Sequence, residues 1–234
     1  MQDLRDVMPL ADAAGRLAMP AAKLRGRIRA GELAARRQAG RWMVPVSEVR
    51  RLEGLPRPEG RPYSPEAAWA MLTMLSGHPV ALAPPRRSQL RRHLRERGID
   101  ELAGRLRRRA SRRPGFVHPS KLDALASDPR TVVTGWAGAE QVGAPLRSTQ
   151  SEPTEVYVHQ PDLEALLVDY AVADAVEVAN VVLQVVADRL VIPQQQGTAT
   201  APVVGLDLLE SGDPRGRQAG HGMFADAVAA FRER

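Results

Sequence analysis

The sequence contains no cysteine, so neither disulfides nor thiolate zinc fingers can hold it together, and a secreted, cross-linked scaffold is excluded. Aromatic residues make up only 4 % of the 234 positions, so any core must be built from Ala, Leu and Val around a few Trp, Phe and Tyr anchors. Lysine is nearly missing, represented by Lys23 and Lys121 alone, so positive charge is almost entirely arginine. Long apolar runs are lacking too. The most apolar stretch, Leu163 to Ile192, is cut by Asp169, Asp174, Glu177, Asp188 and Arg189, and the start, Met1 to Met8, is charged. Neither a membrane span nor a signal peptide is expected, and a cytoplasmic location follows by default.

What is present is an uneven distribution of charge. The net +6 divides into +5 over residues 1–54, +9 over 55–127 and −8 over 128–234. This order points to a front half that binds a polyanion and a back half that avoids one or meets a basic partner.

Along the chain, Leu10, Ala13, Ala14 and Leu17 space as one helix, and a second can start at Pro20 or Ala21 and stop at Gly31. Leu33 to Arg37 and Arg41 to Val44 read as two short strands around a turn at Gly40, and Ser47 is placed to cap a third helix through Val49 and Leu52. Helix, tight turn, helix, two-stranded wing and helix is the layout of a winged helix-turn-helix. In the second helix Ala21, Leu24 and Ile28 make one apolar stripe, and Lys23, Arg25 and Arg29 project away from it. Arg36, Arg37 and Arg41 fall on the hairpin, within reach of phosphates. These six are the expected DNA-binding residues.

The segment Leu10-Ala11-Asp12-Ala13-Ala14-Gly15-Arg16-Leu17, the stop at Arg29-Ala30-Gly31-Glu32-Leu33, and Gly40-Arg41-Trp42-Met43-Val44-Pro45 followed by Ser47-Glu48-Val49 resemble the excisionase-type, MerR-like winged-helix DNA-binding domain. The resemblance covers the first quarter of the chain and implies that the second helix enters the major groove. Met19 departs from it, standing where such domains usually carry a capping Ser or Thr. Ala22 and Gly26 occupy groove-facing positions often filled by polar residues.

Three prolines and a glycine in residues 55–62 mark a linker, which gives an expected division into a DNA-binding domain at 1–54, a linker at 55–63, a basic helical segment at 64–114 and an α+β domain with a small sheet at 115–234. In the helical segment Ser64 caps a helix opened by Pro65, with Ala68, Trp69, Leu72 and Leu75 buried. Helices near 86–97 and 100–110 follow. The arginines at 86–97 and 105–113 read either as a solvated surface or as additional phosphate contacts. After Gly115 the strands are expected at Phe116-Val117, Thr131–Thr134, Glu155–Val158, Val181–Val186, Leu190–Ile192 and Val203-Val204. Helices are expected at Ser120–Ala126, Ala137–Val142, Asp162–Tyr170 and Pro214–Phe231. The fold class is therefore α+β.

Thr131-Val132-Val133-Thr134-Gly135-Trp136, Glu155-Val156-Tyr157-Val158, Asp162-Leu163-Glu164-Ala165-Leu166-Leu167 and Asp207-Leu208-Leu209-Glu210-Ser211-Gly212-Asp213-Pro214, placed after a winged helix and a basic segment, resemble antitoxins of the AbiEi type. The resemblance implies an autorepressor that binds its own promoter and a neighbouring gene for an AbiEii-type nucleotidyltransferase toxin.

No catalytic residues, metal ligands or cofactor are expected. His78, His93, His118, His159 and His221 have no paired ligand spacing, and neither a phosphate-binding Gly-rich loop with lysine nor a Gly-x-Ser-x-Gly elbow occurs. Asp207, Glu210 and Asp213 are the one carboxylate group that a metal-dependent nuclease would use. The sequence reads as a regulator that binds double-stranded DNA, as a homo-oligomer because a single small winged module makes few base contacts. An excisionase-like recombination directionality factor is the nearest alternative, and a nuclease is the alternative from another class.

Overall fold

The computed structural model describes residues 7–55, 60–144, 146, 152–174 and 179–234. Residues 56–59 of the expected linker lie outside them. The chain begins with β1 (Val7–Pro9), α1 (Leu10–Arg16) and α2 (Ala21–Arg29), then β2 (Arg36–Gln38), β3 (Arg41–Pro45) and α3 (Val46–Gly54). β1, β3 and β2 form a three-stranded antiparallel sheet in that order. The first strand was not expected, because three residues beside a charged start carry no periodicity. It pairs Val7 with Pro45 and Pro9 with Met43.

Leu10, Ala13, Leu17, Leu24, Leu33, Val44, Val49 and Leu52 bury one small core under these elements. The expected strand over Leu33–Arg37 starts only at Arg36, since Leu33 and Ala34 are drawn into that core. Ser47 does not cap α3. Pro45 occupies the cap position without a side-chain hydrogen bond, and the helix begins at Val46.

The remainder runs through α4 (Pro65–Leu75), α5 (Pro84–Glu96) and α6 (Ile99–Leu106), a 3-10 turn at Arg107–Arg109, and β4 (Ser111–Phe116). Then come α7 (Leu122–Ala126), β5 (Thr131–Thr134), α8 (Gly135–Gln141), β6 (Thr154–His159), α9 (Leu163–Asp169), β7 (Ala173–Asp174) and β8 (Val181–Val186). β9 (Gln194–Gln195), β10 (Thr198–Ala199), α10 (Ala201–Leu209) and α11 (Pro214–Arg232) complete it. Ser64 caps α4 through the Ala67 amide at 3.3 Å, and Asp213 caps α11 through the Arg215 amide at 2.7 Å, each followed by the expected proline.

The small sheet of the expectation is a seven-stranded mixed sheet in the order β7-β4-β8-β6-β5-β10-β9, with the β8–β6 and β5–β10 pairs parallel. Alternation along the strands assigns its two faces. Val133, Val156, Val158, Val181, Leu183 and Val185 pack with Leu125, Leu163 and Leu166 of α7 and α9. Val132, Tyr157 and Val186 pack on the other side with α8, α10 and α11, and with Trp69, Leu72, Leu90, Leu102 and Leu106. The helices of segment 64–114 thus share one core with the sheet, and β4 spans the boundary drawn at 114.

Two strand expectations are corrected. Val203-Val204 lies inside α10, whose apolar residues are buried all round, so β-branching there reflects burial and not extension. Leu190–Ile192 pairs with no strand among the described residues, following a turn in which Arg189 has φ +66°.

Candidate nucleic-acid interface

All six expected DNA-binding side chains are exposed, and they come from two adjacent elements. α2 is oriented by Leu24, buried against α1, and by Arg27, whose guanidinium faces inward toward Glu32 at 3.9 Å. At about 100° per residue, this places Ala22, Gly26 and Arg29 at the centre of the outward face, with Arg25 on one shoulder and Lys23 on the other. An alanine-sized side chain at Gly26 would meet no atom within 4 Å. The outward face is therefore shallow over Ala22 and Gly26, with cations at both edges and Arg29 at its far end.

The turn into α2 is closed by the Met19 amide on the Ala14 carbonyl at 3.0 Å with Ala18 at φ +48°, so the backbone supplies the tight turn without a side-chain cap. At the other end, Gly31 has φ +68°, the Glu32 amide returns to the Arg27 carbonyl at 2.9 Å, and the helix terminates. The wing turns at Ala39-Gly40, with φ +47° and +77°, the paired left-handed geometry of a tight hairpin. Arg37 stacks over Trp42 at 5.2 Å, and Arg36 donates to Gln38 at 3.2 Å. Trp42 is half-buried against the small core, which makes it an anchor of the wing.

The arginine concentration at 105–113 is largely internal. Arg109 is buried, and its guanidinium engages Asp207, Glu210 (2.6 Å) and the Tyr157 hydroxyl (2.9 Å). Tyr157 in turn donates to Asp207 at 2.8 Å, and the Thr134 hydroxyl donates to the other oxygen of the same carboxylate. Burial opposes the charge on Arg109, but Glu210, Tyr157 and Asp207 together hold its pKa well above the ordinary value. Burial also pushes the Tyr157 phenol well up. Two of the three carboxylates considered for metal chemistry are thus bound to one arginine, and the third, Asp213, caps α11. Among the described residues no group of three or more His, Asp or Glu side chains is placed to hold a metal ion.

Sequence reasoning also missed the junction between the first three helices and the sheet. Arg112 on β4 donates from Nη1 to Glu48 of α3 at 2.7 Å and from Nη2 to Glu155 of β6 at 3.3 Å, and its amide binds the Gly31 carbonyl at 2.9 Å. Glu48 also accepts from Arg51 at 3.0 and 2.9 Å and from the Ala34 amide at 3.3 Å. Burial alone would raise the Glu48 pKa. Arg51, Arg112 and these hydrogen bonds reverse that and bring it to about 2. Glu155 goes the other way: burial raises its carboxyl above the ordinary range despite Arg112, and Asp207 adds to the rise. Arg108 closes the rim onto Glu32 at 2.6 Å. The only sequence signal was Gly31, read as a helix stop; a β-carbon there would also lie 2.6 Å from Cβ of Ser111.

No helix among the described residues is long and apolar enough to cross a membrane. In comparisons with known proteins, the chain matches no protein family, no curated protein and no solved structure.

Proposed function

We propose that the protein is a DNA-binding regulator that reads duplex DNA as a winged helix-turn-helix, through the outward face of α2 and the hairpin β2–β3. The observation that carries this reading is the convergence of Lys23, Arg25, Arg29, Arg36, Arg37 and Arg41 as exposed side chains on two neighbouring elements whose opposite faces are fixed by one core. Ala22 and Gly26 let the helix backbone lie deep in the major groove, Lys23 and Arg25 straddle it toward the phosphates of both walls, and Arg29 faces the base edges. The wing arginines reach the flanking backbone.

Gel-shift titrations on the chain's own promoter fragment and on scrambled DNA test this. Arg29→Ala is expected to weaken promoter binding by about 1–3 kcal/mol more than scrambled binding. Arg37→Ala or Arg41→Ala should weaken both alike and flatten the salt dependence by about one contact each. Equal losses from Arg29→Ala on both duplexes would refute base readout.

The same proposal makes the remainder the antitoxin part of an autorepressing toxin–antitoxin pair, with a nucleotidyltransferase toxin as protein partner. Its support is the resemblance over residues 131–215 and the outer face of α9, where Glu164 is exposed and Val168 is 79 % exposed. Co-expression of residues 60–234 with the neighbouring gene should restore growth, and Val168→Asp should abolish the rescue. Continued arrest with soluble fragment present would remove the antitoxin role and leave the DNA-binding reading standing.

A further inference from the structure

α5 carries Arg87, Arg91 and Arg95 at four-residue intervals, so one face of the helix repeats a guanidinium about every 6 Å. These three line a groove of about 260 Å³ together with Arg234, His78 and Phe231. Among the described residues no carboxylate lines it. Arg95 and Arg234 both lie 5.9 Å from the centre of the Phe231 ring, so two like charges share one aromatic ring. This differs from the arginines at 109 and 112, which are committed to buried carboxylates. The groove is also remote from the small helical module. Arg217, near the start of α11, packs against Gly54 of α3, whereas Phe231 lies fourteen residues further along the helix, about 21 Å away.

We propose that this groove is a second nucleic-acid contact, which takes the sugar-phosphate backbone of duplex DNA independently of α2 and the wing. The arginine repeat is comparable to the separation of successive phosphates on one strand, which a single-anion pocket would not require. Phe231 is buried beneath its two guanidinium groups, so the groove offers no free aromatic face on which unstacked bases could lie, as binding of a single strand would need. Contacts here are to phosphate alone and carry no sequence information. The inference goes beyond the proposed regulator function in giving the chain a duplex contact outside the module that reads sequence.

The test uses the full-length protein and a labelled 40-base-pair duplex of random sequence, titrated across salt concentrations. R87Q/R91Q/R95Q is expected to reduce the slope of log K against log[salt] by between two and three, about 0.9 for each lost contact. Its circular dichroism spectrum and melting temperature should match the parent's, since these side chains are exposed. K23Q/R25Q/R29Q should reduce the slope separately, and the combined variant should show the sum. An unchanged slope in the α5 variant, with the α2 variant still weakened, would overturn the groove and leave the regulator reading intact. The reverse pattern would support the groove and sink the winged-helix reading. Binding of inorganic tripolyphosphate that is lost in the α5 variant, with the duplex slope unmoved, would also overturn the proposal, because the groove would then serve a free polyphosphate.

Discussion

Arg112 joins two carboxyls whose titrations run in opposite directions, and this gives the junction a pH signature. Glu48 has its folded pKa depressed to about 2 from an ordinary 4.5, so its contribution is fully present above 4.5 and is lost as pH falls toward 2. That contribution is about 3 kcal/mol. Glu155 has its folded pKa raised above 4.5, so stability declines as pH rises from 4.5 through that value. Urea unfolding at a series of pH values, followed by circular dichroism, should give difference curves of opposite slope. E48Q removes a gain between pH 2 and 4.5, and E155Q removes a loss above 4.5. Parallel curves would show that the two carboxyls do not share Arg112 in solution. Arg109 calls for a second comparison. Replacing it with Met strands Asp207 and Glu210 in the interior and is expected to cost about 3–5 kcal/mol.

At the scale of single elements, α2 sets helix propensity against the proposed groove-facing role of Gly26. The open space around that position means that Gly26→Ala should stabilise the fold by about 1 kcal/mol. If the backbone must approach DNA closely, the same change weakens binding. Gly15→Ala in α1, equally open, should stabilise without affecting binding and serves as its control. The wing turn offers a gain as well. Ala39 holds φ +47°, which costs about 1 kcal/mol for a residue with a β-carbon, and Ala39→Asn should recover part of that while keeping the hairpin register.

Such elements were legible where local chemistry decides them: the stripe of Leu24, the proline-opened helices behind Ser64 and Asp213, and the β-branched runs at 131–134 and 181–186. They were illegible where tertiary burial decides. Val203-Val204 looks like a strand by composition, yet α10 is apolar because it is enclosed. Only the end of β4 was expected, as a strand at Phe116-Val117; its start was hidden because Arg112 and Arg113 on a strand resemble a basic helix until their partners, Glu155 and Asp174, are placed beside them.

For the whole molecule, the reversal of charge along the sequence is partly an internal arrangement. Arg109, Arg112 and Arg113 from the basic middle meet Asp207, Glu210, Glu155 and Asp174 from the acidic end, so the formal charges of the segments overstate what a partner would encounter. The candidate DNA-binding surface was legible because it needs only six exposed cations on short elements. The junction and the α5 groove were not, because each depends on residues more than a hundred positions apart or on side chains that only the sheet brings together. The shared core also fixes where the chain can be cut. A fragment beginning at 128 lacks β4 and the Trp69 and Leu72 side chains, and is expected to be insoluble, whereas 60–234 retains the core. Soluble, cooperatively melting 128–234 would contradict a single core.

The grip of Arg112 on Gly31 and Glu48 has a bearing on how lineages of such proteins could diversify. Exchanging the first fifty-five residues for those of a cousin would succeed only if the newcomer supplied an acid and a glycine at matching places. Cassette shuffling is thereby discouraged. On the proposed DNA-binding reading, new target preferences should instead accumulate through small replacements on the outer side of α2, and chimeras spliced at the proline-rich stretch should recover function only when residues 31, 48 and 112 travel as a set.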